Sequence, residues 1–175
     1  MMTAAEGHRT SSWTACALLG VGVVAVGFAG WSIVDGGPGW AGVLLLVAAA
    51  CLVFAAALPD GRSPRGTLMI SMADRLFDGV ALSAIAWAYR SADPATAAGA
   101  LVALGSSFLS AYIQLRGASL GYDVEEALGT RVVCYGLVSI GLMMGWIDWT
   151  VWVLAAFVLL AAAVRASQVA KEERA

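Results

Sequence analysis

The chain has 175 residues, of which 61% are hydrophobic and 13% charged, with a formal net charge of -2 and a mean hydropathy of +0.83. That leaves too little polar surface to cover a soluble globule, and the apolar residues come in long blocks, so the composition specifies an integral membrane protein. The basic residues are spread over connectors and form no single patch, which sets nucleic acid aside as a partner.

A helix needs about 20 apolar residues to cross a bilayer. On that ruler the chain reads as all-α and polytopic, with six spans predicted at 12–34, 39–58, 67–89, 95–115, 131–146 and 148–164. They form one domain, residues 12–170, between an N-terminal arm at 1–11 and a tail at 171–175. The first apolar run is longer than a signal-peptide core and carries only Arg9 as a basic flank, so it is expected to be a retained span. Pro38, Pro59, Pro64 and Pro94 are assigned to connectors, where a missing N–H costs least. The last two spans are short and separated only by 147–149, and they are expected to form a helical hairpin that hides backbone polar groups from lipid.

Lys and Arg accumulate on cytoplasmic connectors. With an even number of spans, Arg9, Arg62, Arg65, Arg116, Arg131, Arg165, Lys171 and Arg174 share one side, with Arg75 near it, and only Arg90 falls on the other. Both termini are therefore expected to be cytoplasmic. Trp31, Trp40, Trp87, Trp146, Trp149 and Trp152 then cluster toward the outer face as an aromatic belt. Cys16, Cys51 and Cys134 lack CxxC spacing and read as buried small hydrophobes. His8 is the only histidine, which excludes His-based metal sites and triads. Gly105, Ser106 and Ser107 suggest close helix packing in the fourth span, and Asp123, Glu125 and Glu126 a solvated loop.

The segment 59–79, PDGRSPRGTLMISMADRLFDG, concentrates the chemistry. Ionisable groups at membrane depth are costly unless paired, hydrated or liganded, so a segment that keeps three Asp and three Arg is a functional-site candidate. Asp74 and Asp78 lie four residues apart on one helix face, with Ser71 a turn earlier. Asp60 and Gly61 follow directly on the second span. Carboxylates from two adjacent helix ends are what a hard divalent cation with a phosphate ligand requires, which makes Asp60, Asp74 and Asp78 the candidate metal ligands.

On these residues the chain resembles the CDP-alcohol phosphatidyltransferases, whose signature reads D-x-x-D-G-x-x-A-R, a spacer, then G-x-x-x-D-x-x-x-D. Asp60, Gly61 and Arg65 look like the second Asp, the Gly and the Arg of its first half. Gly66 and Asp74 look like the Gly and last Asp of its second half. The following DRLFDG is similar to the actinobacterial phosphatidylinositol phosphate synthase-like branch. Tyr112, Ile113, Arg116, Gly121 and Arg131 resemble the segment between the fourth and fifth spans.

That resemblance implies a membrane enzyme that transfers a phosphatidyl group from a CDP-diacylglycerol-like lipid to an alcohol and releases CMP. It implies Mg²⁺ or Mn²⁺ on the Asp residues, Asp74 as the base, and Gly61, Arg65 and Gly66 at the CDP site. Arg116 and Arg131 would hold the acceptor phosphate. A homodimer, or a heterodimer with an active paralogue, is implied as well. The departures are specific. Ala57 and Ile70 stand at the first and third Asp positions, Pro64 at the motif Ala, Gln114 where a Lys is common, and the spacer before Gly66 is gone. Weak or absent transfer is therefore expected, the alternative being a non-catalytic lipid-binding or partner subunit. A shifted register that uses Asp74, Asp78 and Gly79 as D-x-x-D-G fails on spacing.

Overall fold

A computed structural model describes the backbone at residues 4–59, 63–121 and 128–172, and side chains at 13–59, 63–121 and 131–167. Asp60, Gly61, Arg62, Asp123, Glu125, Glu126 and residues 173–175 of the tail lie outside the described residues. The described residues form six helices: α1 (Ala4–Val34), α2 (Pro38–Ala57), α3 (Pro64–Tyr89), α4 (Pro94–Ser119), α5 (Leu128–Met144) and α6 (Ile147–Glu172). No strand occurs among the described residues. Segments Trp13–Val34, Pro38–Ala57, Pro94–Ser119 and Ile147–Ser167 are long and apolar enough to cross a membrane. The chain is thus a helical membrane protein with four such helices among the described residues. The other two differ for separate reasons: α3 is 26 residues long but carries the charges, and α5 has 17 residues, about 25 Å of helix.

Local chemistry explains the helix ends. Pro38, Pro64 and Pro94 do not lie in connectors as the sequence suggested; each is the first residue of its helix. There the absent N–H has no intrahelical partner to lose and the fixed φ favours the helix. Ser63 caps α3 by accepting from the Gly66 N–H at 3.0 Å. Asp93 caps α4, accepting from the N–H groups of Ala95 and Thr96. The turns after α1 and α5 pass through Gly36 (φ 88°) and Gly145 (φ 72°). They close with Gly37 N–H to Ser32 O at 2.8 Å and Trp146 N–H to Gly141 O at 2.9 Å, the Schellman geometry that needs a left-handed residue.

The helices pack as a ring in the order α1, α2, α5, α6, α4, α3 and back to α1, with α2 also touching α3. Core side chains recur at helical spacing, as in Ala41, Leu45, Ala48, Leu52 and Ala55 of α2 and Phe77, Ala81 and Ile85 of α3. Small residues set the close crossings. A Cβ on Gly42 would lie 2.6 Å from Ser139 O on α5, and one on Gly99 would lie 2.9 Å from Val151 on α6. Gly105 does not take this role: nothing lies within 4 Å of its Cβ position. Outside the ring Phe28, Phe54, Leu101, Leu109 and Leu160 are exposed, as lipid-facing positions should be. Trp31, Trp40, Trp87, Trp146, Trp149 and Trp152 are exposed too, near the short connectors after α1, α3 and α5.

Candidate functional site

Among the described residues, α3 and α5 have no direct backbone packing although they face one another across the ring. The space between them is a cavity of about 60 Å³. Asp74, Arg75 and Asp78 of α3, Ser107 and Ser110 of α4, Arg131 and Tyr135 of α5, and Arg165 of α6 supply its polar wall. On the helical rise these residues lie about 13–27 Å from the ends joined by the short connectors, and their side chains line the inside of the ring.

Asp74 is the centre. It is 1% exposed, and the four-residue spacing that puts it beside Asp78 also points it into the ring. Its Oδ1 accepts from the Tyr135 hydroxyl at 3.0 Å, and the same hydroxyl lies 3.2 Å from the Asp74 backbone oxygen. Oδ2 lies 3.0 Å from Arg75 Nη2 and 2.9 Å from Arg131 Nη1. Those two are ion-pair approaches without hydrogen-bond alignment. A buried carboxylate survives only with such compensation.

A second group adjoins it. Arg75 Nη1 donates to Ser107 Oγ at 2.6 Å and to the Ser107 backbone oxygen at 3.0 Å, and lies 3.4 Å from Asp78 Oδ2. The Ser107 hydroxyl donates to Asp78 Oδ2. Farther along, Arg165 Nη1 donates to Ser110 Oγ at 2.7 Å. Among the described residues, three guanidiniums and two carboxylates line one small space.

Of the residues singled out from sequence, Asp74, Asp78 and Arg131 meet here. Arg65 and Gly66 lie in the first turn of α3, with Arg65 exposed, and neither lines the cavity. Arg116 is exposed in the last turn of α4, away from the cavity wall. Asp60 and Gly61 fall outside the described residues. No group of three or more His, Cys, Asp or Glu side chains converges on a metal-binding point among the described residues. Both Asp74 oxygens face donors, and its nearest charged neighbours among the described residues are cations.

Ile70, at a position where the resemblance called for Asp, is a buried member of the apolar core. Of the cysteines, only Cys51 is buried; Cys16 is exposed, and Cys134 is half-buried on the cavity wall. Sequence reading missed Tyr135, Ser107, Ser110 and Arg165 as site residues. Arg165 was legible only as a topology marker, and the other three carry no charge to flag them.

Fold and site together define a helical membrane protein with an ion-paired, arginine-rich cavity inside its helix ring. No protein-family model matches the chain, and no curated protein matches it.

Proposed function

We propose that this chain is a CDP-alcohol phosphatidyltransferase-like membrane protein in which phosphatidyl transfer is weak or absent. Its cavity then binds a phosphate-bearing headgroup as a non-catalytic subunit, alone as a homodimer or beside an active paralogue. One observation carries the reading: the carboxylate that would serve as base and metal ligand, Asp74, is held by Arg75, Arg131 and Tyr135. A carboxylate whose oxygens are engaged by two guanidiniums and a hydroxyl is a poor cation ligand. Arg131 and Arg165 supply planar, permanently charged donors suited to phosphate. Arg165 joins this proposal because it lines the cavity, and Arg116 leaves it because it does not.

The test uses the full chain in liposomes containing CDP-diacylglycerol, with Mg²⁺ or Mn²⁺, and measures CMP release. The expected result is no metal-dependent release above protein-free liposomes, and no difference for Asp74→Asn. Metal-dependent release abolished by Asp74→Asn would overturn the proposal. For the binding half, inorganic phosphate or glycerol phosphate should raise the thermal midpoint of the wild-type protein, and the rise should shrink in Arg165→Gln. An unchanged rise in that variant would remove Arg165 from the site. Co-purification with a chain carrying the complete signature would support the subunit role.

A further inference from the structure

The α5–α6 hairpin carries a second hollow, at the end of the molecule where the tryptophans gather. Leu137 of α5, Gly145 of the turn, and Trp149, Thr150 and Val153 of α6 line a groove of about 490 Å³, with Trp146 and Asp148 at its connector end. A close helix crossing frames it: a Cβ on Gly141 would lie 2.8 Å from Thr150 Cβ, and the Thr150 hydroxyl donates to Trp146 O at 2.8 Å. Trp146, Trp149 and Val153 are exposed, as is Asp148. Among the described residues Asp148 is the only charged group on the groove, and it forms no ion pair. Arg90, the basic residue at this end, stacks on Trp87 at 3.9 Å and donates to the Trp87 backbone oxygen.

We propose that this groove seats a phospholipid with an ammonium headgroup, its ammonium beside Asp148 and the indoles of Trp146 and Trp149 and one acyl chain along Leu137 and Val153. The depth agrees. Exposed tryptophans around the short connectors mark the headgroup level, and from Gly145 to Leu137 the groove descends about 12 Å of helix toward the hydrocarbon. Charge selects the occupant. A carboxylate without a cation of its own, next to two indoles, attracts an ammonium both by its charge and through the ring quadrupoles. Phosphatidylethanolamine meets that demand and is neutral as a whole, whereas phosphatidylglycerol would bring a net negative charge to Asp148 with nothing on the groove to balance it. A second copy of the chain docked here about a two-fold axis would set Asp148 toward its own equivalent, like charge against like. The inference rests on the chain lying in a bilayer with these tryptophans at its surface and not on the phosphatidyltransferase resemblance, so the outcome of the CMP assay does not bear on it.

The test is photolabelling of the full chain in liposomes of equal parts phosphatidylethanolamine and phosphatidylglycerol, with a trace of one or the other carrying a diazirine on an acyl chain, followed by peptide mapping. Relative to label around the lipid-facing Phe28 of α1, label on residues 137–153 should be about two- to fivefold richer with the phosphatidylethanolamine probe, the range an exposed cation–π contact supplies. In Asp148→Asn the two probes should label these residues equally while labelling itself persists. Trp149→Ala should also reduce the preference. Trp40→Ala removes a comparably exposed indole on α2, 75% against 76% for Trp149, and should leave the preference unchanged. Equal labelling of the wild-type protein by both probes would overturn the proposal, as would a preference that survives Asp148→Asn. So would crosslinks joining two protein copies through residues 137–153, which would make a second copy of the chain the occupant. Asp148 and Trp149 are both exposed, so neither change empties the core, and each checks the other.

Discussion

Arg131 on α5 holds a guanidinium nitrogen 2.9 Å from Asp74 Oδ2 on α3, across a gap that the two backbones do not close. With the Tyr135 hydroxyl on Asp74 Oδ1, this contact ties opposite sides of the helix ring. Removing Arg131 takes one of two guanidiniums from the buried Asp74 carboxylate, and breaking a buried pair costs roughly 3–5 kcal/mol. The Arg75 contact to Asp74 should hold the loss from Arg131→Gln near the lower figure. Combining Arg131→Gln with Asp74→Asn should be less damaging than the sum of the single changes, with a coupling of about 1–3 kcal/mol. Reversible unfolding in mixed micelles checks this, and additive effects would show that the contact is not energetically real.

Tyr135→Phe isolates the hydroxyl. The ring stays packed edge-on against Phe77, at a centroid separation of 6.3 Å, while Asp74 Oδ1 loses its donor. A stability loss of about 1–3 kcal/mol is expected, the cost of leaving a buried acceptor without its partner. In an Asp74→Asn background the same change should cost less, because the acceptor no longer carries charge. Unfolding measurements on the four proteins decide it.

Gly42 and Gly27 make opposite predictions from the same residue type. A side chain at Gly42 collides with Ser139 O and with Met143 Cγ, both 2.6 Å from the Cβ position, whereas nothing lies near Gly27. Gly42→Leu should force α2 from α5 and cost more than about 2 kcal/mol by overpacking. Gly27→Leu should be neutral or stabilising, since leucine is the better helix former. Thermal midpoints in detergent, compared side by side, test the pair.

At the N-terminus of α4, the Thr96 hydroxyl and then the Thr96 and Ala95 N–H groups hold the Asp93 carboxyl below its usual range. The folded state therefore favours the ionised form. Its contribution is fully present above the unfolded-chain value of about 3.9 and is lost as pH falls through the lowered folded value. The stability difference between the wild-type protein and Asp93→Ala should stay constant from neutral pH to about pH 5 and narrow in stronger acid. Asp93→Asn, which keeps an accepting oxygen, should retain much of the cap with little pH dependence.

The sequence by itself determined that the chain is a helical membrane protein with breaks near residues 35, 60, 92 and 146, because long apolar runs and Pro or Gly punctuation act locally. It also marked Asp74, Asp78 and Arg131 as residues of consequence, since charge in an apolar chain is conspicuous whatever the fold. It misplaced Pro38, Pro64 and Pro94, because a proline at the first turn of a helix and one in a connector look alike until the cap is seen. Only the tertiary structure decided which charges meet. The ring order carries α5 opposite α3 and α6 beside α4, so Tyr135, Ser107, Ser110 and Arg165 converge from 29 to 61 residues away in sequence. No local pattern encodes those pairings, because they follow from which apolar faces and small-residue crossings fit together. The same packing turned Asp74 away from open solvent and into the grip of two arginines, and that environment decides what the carboxylate can do.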